Sequence, residues 1–190
     1  VDIRAISGTS AGAMNAVVLA DGLEEGGREG ARKALREFWT AISVAALASP
    51  IRRGPIDVFM GYWKLDYNPS YLLVDIMQQI TSPYQLNPWN INPLKDILER
   101  QVDFARLRKS DRLMVFVSAT NVETGFIKVF QPNELTPDML MASAAIPFVY
   151  QAVEIKGKSY WDGGYMGNPP LWPLFNKGGT DDIVVIQVNP

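Results

Sequence analysis

Ser10 stands in Gly8-Thr9-Ser10-Ala11-Gly12, a G-x-S-x-G arrangement, and the 190-residue chain contains no histidine. A serine on a sharp strand-to-helix turn projects its hydroxyl away from the packed elements, where it can attack a carbonyl carbon. A serine hydroxyl is a weak nucleophile until a base takes its proton. With histidine absent, a Ser-His-Asp triad cannot be built from these residues. Five-residue patterns also recur by chance, so a glycine-rich turn with an idle serine is the plain alternative. The surrounding sequence has to decide between them.

The flanks fit a nucleophile turn. Val1 to Ser7 reads as a short strand, and Ala13 to Ala20 is apolar nearly all round, as in a buried helix. Gly22 then stands where a helix C-terminal glycine would. Gly8 and Gly12 are expected to be glycine because side chains there would collide with the strand and helix, and Ala11 to be small for the same reason. Backbone N–H groups in the first helical turn lack intrahelical acceptors and favour an anion. The Ala11 N–H, following the serine, is the natural first donor to an oxyanion.

The base must be another side chain. Ser10-x-x-Lys does not occur, because Ala13 occupies the lysine position. Cysteine is absent too, and the carboxylates show no ligand spacing, so neither a metal nor another cofactor is expected. The best candidate is Asp162, in Tyr160-Trp161-Asp162-Gly163-Gly164-Tyr165. Lys156-Gly157-Lys158 reads as a hairpin turn, which pairs 152–155 with 159–162 and puts Asp162 at a strand end. Gly163 and Gly164 would allow unusual backbone angles and the close approach of another element. An ordinary Asp-Gly turn remains the alternative.

Taken together, these residues resemble the patatin-like phospholipase family. Gly-Thr-Ser-Ala-Gly at 8–12 and Asp-Gly-Gly at 162–164 match its two catalytic motifs. Ser118-Ala119-Thr120-Asn121-Val122-Glu123-Thr124-Gly125 resembles its central strand and turn. Met141-Ala142-Ser143-Ala144-Ala145-Ile146-Pro147 resembles a segment shortly before its aspartate. The resemblance implies a Ser10–Asp162 dyad without histidine, and lipid or small ester substrates cleaved through an acyl-serine. It implies a three-layer α/β/α fold with a mostly parallel sheet. It also implies a glycine-rich oxyanion loop, after a first strand, ahead of the nucleophile strand. That loop has no counterpart in 1–190, so the expectation is a single, N-terminally incomplete domain with weak activity alone. A non-catalytic module that binds lipid or protein is the competing class.

Composition adds boundaries. A net charge of −2 gives no electrostatic case for nucleic acid, and 47% hydrophobic residues can fill a core. No run is long enough to span a bilayer. The expected location is cytoplasmic or peripheral to a membrane, with a signal peptide left open. Oligomeric state is not legible.

The remaining elements follow from periodicity and punctuation. A second helix is expected over 24–48, with Leu35, Phe38 and Ile42 inward. Residues 55–93 concentrate Phe59, Tyr62, Trp63, Tyr67, Tyr71, Tyr84 and Trp89 among prolines. This stretch suits a lid or a membrane-facing wall, though an insertion whose aromatics pack on the core is the favoured reading. Tyr71 to Ile80 could hold a short helix. Asn92-Pro93 starts a helix to about Gln101. Leu113 to Thr120 is a strand, with Phe126 to Phe130 as its hairpin partner. Thr136-Pro137 caps another helix. Ile183 to Val188 reads as a central parallel strand.

Overall fold

The computed structural model describes residues 2–47, 82–147, 149–177, 179 and 182–187. The first element is strand β1 (Ala5–Gly8), which feeds directly into helix α1 (Ala11–Leu47). The early part of α1 buries Ala13, Met14, Ala16, Val17, Val18 and Ala20, which explains its all-round apolar sequence.

The helix does not stop at Gly22. It breaks at Gly26 and Gly27, where Gly27 takes φ +61, into arms 11–25 and 28–47. Gly22 has a packing role instead. A β-carbon there would lie 2.7 Å from the Ala34 β-carbon, and one on Gly30 would overlap the Gly22 carbonyl oxygen. The arms therefore cross backbone to backbone. The second arm places Phe38 in the core with Leu35 and Ile42 beside it, as expected.

Next come α2 (Pro83–Leu86), α3 (Pro93–Gln101) and α4 (Phe104–Lys109). The Asn92 side chain accepts the Leu94 N–H at 3.1 Å, capping α3 at the expected position. Buried Asp21 on α1 accepts two hydrogen bonds from Arg106 on α4, each 2.9 Å. That carboxylate holds the Arg106 guanidinium above its ordinary range.

Strands β2 (Met114–Asn121) and β3 (Ile127–Phe130) form the expected hairpin, and α5 (Pro137–Ala144) starts behind the Thr136 cap. Strands β4 (Val153–Ile155) and β5 (Lys158–Asp162) are joined by Lys156 and Gly157, both at positive φ. Helix α6 (Trp172–Lys177) follows.

The five-stranded sheet runs β1-β2-β5-β4, with β3 also on β2. It is mixed rather than mostly parallel: β1 and β2 are parallel, and the other three pairings are antiparallel. Connection length accounts for two of the antiparallel pairings. Tight turns join β2 to β3 and β4 to β5, and a short turn can only reverse the chain. Helix-containing chain separates β1 from β2, which run parallel, and β2 from β5, which run antiparallel.

Alternation sorts the faces. Ile6, Val115, Val117, Ala119 and Tyr160 point into the core beneath α1 and α5. Ser7 points the other way and donates to the Pro170 carbonyl at 2.6 Å, so the chain leading into α6 lies across the opposite face.

Two further expectations need correction. Residues 182–187 are not in a strand, and Val184, Val185 and Ile186 are exposed. A doubly buried strand needs pairing partners as well as apolar residues, and among the described residues none pairs with this run. In the aromatic stretch, 55–81 lies outside the described residues, including the helix expected over 71–80. Tyr84 and Trp89 are 52% and 83% exposed, so they do not pack on the core. Among the described residues no helix is long and apolar enough to cross a membrane.

The crossing of the α1 arms predicts a steric penalty. Gly30→Ala should destabilise the fold by about 1–3 kcal/mol in denaturant unfolding. Gly26→Ala, with nothing within 4 Å of the added carbon, should cost less. Equal losses would contradict the crossing.

Candidate active site

The turn between β1 and α1 is built by contact of backbone on backbone. A β-carbon on Gly8 would lie 2.5 Å from the Gly12 carbonyl oxygen and 2.7 Å from the Ala13 nitrogen. Glycine is therefore required at 8, as expected. It is not required at 12, where an added β-carbon meets nothing within 4 Å, and Ala11 is exposed. The collision expected at both residues does not occur, because the start of α1 turns their side chains away from the strand.

Ser10 takes φ +55, a left-handed conformation for a residue with a side chain. Such a conformation costs about 1–3 kcal/mol and persists only where neighbours enforce it. Its carbonyl accepts from the Ala13 and Met14 N–H groups at 3.0 and 3.1 Å. Its own N–H donates to the Ser143 hydroxyl on α5 at 2.9 Å. The buried Thr9 hydroxyl lies 2.5 Å from the Ser118 hydroxyl and donates to the Gly167 carbonyl at 3.0 Å. The Ala11 N–H sits in the first helical turn, where no intrahelical acceptor reaches it.

Asp162 ends β5 and is 7% exposed. Its N–H donates to the Ala145 carbonyl at 2.9 Å, and its carbonyl accepts from the Thr120 hydroxyl at 2.9 Å. Its Oδ1 accepts the Gly164 N–H at 2.7 Å. Gly163 is required by close approach, since a β-carbon there would lie 2.5 Å from the Ser118 carbonyl oxygen. A side chain on Gly164 would crowd Asp162 Oδ1 at 3.0 Å. Neither glycine has positive φ, so close approach, not an unusual backbone angle, accounts for the pair.

Both candidate residues lie at or just after strand ends that meet along one edge of β2, on one sheet face. Gly8 is in register with Val117, and Asp162 with Ala119, along the same edge of β2, because β3 pairs with Val117, Ala119 and Thr120 on the other edge. Cross-strand partners share a face, and Ala119 faces the core where α1 begins. The ends of β1 and β5 therefore meet two residues apart along β2, roughly 7 Å. The C-terminal end of α5 bridges them, with Ser143 on Ser10 and Ala145 on Asp162. Among the described residues, no hydrogen bond joins the Ser10 hydroxyl to Asp162. Two surface clefts, one of about 400 Å³ beside Ala145 and one of about 680 Å³ around Arg106, are lined by neither residue. No group of acidic, histidine or cysteine side chains among the described residues could hold a metal ion.

Ser118 and Ser143 received no role from sequence. The available signal is a hydroxyl inside an otherwise apolar strand or helix. Both are fully buried, and a buried hydroxyl is costly unless something pairs with it.

The two turn glycines should therefore respond differently. Gly8→Ala should lower stability by about 1–3 kcal/mol or more in denaturant unfolding. Gly12→Ala should be neutral or stabilise by up to roughly 1 kcal/mol, since glycine disfavours a helix. A large loss at Gly12 would contradict the turn geometry.

No curated protein sequence matches the chain. A family model for the patatin-like phospholipases matches residues 1–175. With its motifs meeting along one edge of β2 in a mixed α/β sheet and that match over most of its length, the chain belongs to the patatin-like phospholipase family.

Proposed function

We propose that the chain is the catalytic domain of a lipid acyl hydrolase that cleaves carboxylic esters, with Ser10 as nucleophile and Asp162 as general base. The observation that carries this reading is the left-handed Ser10 turn, held by the same helix end that holds Asp162. The choice of lipid esters rests on family membership.

The reaction follows from the residue types. A carboxylate is far too weak a base to ionise an alcohol in advance. Proton transfer to Asp162 therefore accompanies attack of the Ser10 oxygen on the ester carbonyl carbon. The tetrahedral oxyanion accepts from the Ala11 N–H. Its collapse breaks the ester C–O bond, and the departing alkoxide takes the proton from Asp162. Water then attacks the acyl-serine and gives its proton to Asp162. Collapse returns that proton to the Ser10 oxygen and releases the carboxylic acid.

Burial of most of Asp162 and the Gly164 N–H on its Oδ1 support a fixed orientation for the base. Exposed Tyr84 and Trp89 are compatible with contact at a lipid surface.

Ser10→Ala and Asp162→Asn should each reduce hydrolysis of a short-chain p-nitrophenyl ester by at least about 10³-fold, with the thermal midpoint within a few degrees of wild type. Wild-type activity in Asp162→Asn would end the dyad assignment. An inactive wild type would favour a lipid- or protein-binding module.

A further inference from the structure

We infer that Ser143 is a positioning residue for this acyl transfer: by accepting the Ser10 N–H, it holds the nucleophile in its left-handed turn and fixes its spacing from Asp162. The inference rests on the reading of Ser10 as nucleophile.

The hydroxyl is fully buried, on a helix whose neighbouring Met139, Leu140, Met141 and Ala142 are all buried. Helical serines and threonines commonly donate to the carbonyl four residues earlier. Thr40 and Ser43 do so in this chain, at 2.7 and 2.8 Å. Ser143 differs. Its one hydrogen bond among the described residues crosses the fold to the Ser10 nitrogen at 2.9 Å.

That nitrogen is where positional control matters. Ser10 lies between β1 and α1, so its N–H belongs to neither ladder. Rotation about its N–Cα bond would relax φ +55 and swing both the hydroxyl and the following Ala11 N–H. Neighbouring backbone holds the carbonyl side of Ser10, and Thr9 is tied down by Ser118 and Gly167. Ser143 supplies the hold on the nitrogen side.

Its location adds a second role. Two residues further along the chain, the Ala145 carbonyl holds the Asp162 N–H. Nucleophile and base thus hang from one short piece of chain, which adds a second hold on their separation beside the shared edge of β2. A misplacement of about 1 Å at a reacting group can cost on the order of 10²-fold in rate.

The test compares the rate of Ser10 phosphonylation by a fluorophosphonate in wild type, Ser143→Ala and Ser143→Cys, alongside kcat and KM for a p-nitrophenyl ester. Ser143→Ala should slow labelling and kcat by about 10–100-fold with little change in KM. Ser143→Cys keeps the volume but weakens the acceptor, so its rates should fall between the other two. A packing role would instead leave Ser143→Cys at the wild-type rate, and that result overturns the inference even if Ser143→Ala does not fold. Equal labelling of folded Ser143→Ala and wild type overturns it as well. Wild type that fails to label at all overturns the nucleophile reading along with it.

Discussion

The Gly12 carbonyl oxygen lies where a β-carbon on residue 8 would otherwise sit. That contact is the constraint on which the site depends. It lets helix α1 begin directly over the end of β1, with only Thr9 and Ser10 between them. A chain that turns so sharply must place one residue in a left-handed conformation, and that residue is Ser10. The strain is local, but what balances it is drawn from distant chain: Ser118 on β2, Gly167 beyond β5, and Ser143 on α5.

The same economy of space recurs at each junction of the fold. Gly22 and Gly30 let the α1 arms cross, and Gly163 lets the chain after β5 press on the Ser118 backbone. These glycines remove side chains where two backbones meet. Around them, buried hydroxyls supply the hydrogen bonds that regular ladders cannot reach. Thr9, Ser118 and Ser143 are all buried, and each is bonded to chain more than a hundred residues away. Their burial ties the site to the core, so site geometry and stability are coupled.

Elements with strong local signals were legible in the sequence. Asn92-Pro93 and Thr136-Pro137 each start a helix because the cap and the proline act within one turn. Lys156-Gly157 makes its hairpin for a similarly local reason. Features that depend on distant chain were not legible. Gly22 has the look of a helix terminus, yet its bareness serves contact with Gly30, which only the folded hairpin reveals. Strand direction follows from which strands meet, and the two tight hairpins account for two of the three antiparallel pairings. Ile183 to Ile186 has a core strand's composition without a strand's pairing. At the site, Ser10 and Asp162 stood out through their glycines. The support from Ser118 and Ser143 did not, because a lone serine in an apolar run carries no information about its partner.

The central claim is that Ser10 carries the acyl group during turnover. It is tested most directly by quenching the protein during hydrolysis of a slowly deacylating ester and mapping the adduct by peptide mass spectrometry. Trypsin releases Ser10 in residues 5–28, between Arg4 and Arg28. The account predicts one acyl group on that peptide, assigned by fragmentation to Ser10, and its absence in Ser10→Ala. Steady hydrolysis with residues 5–28 unmodified, or an acyl group on another serine, would contradict it.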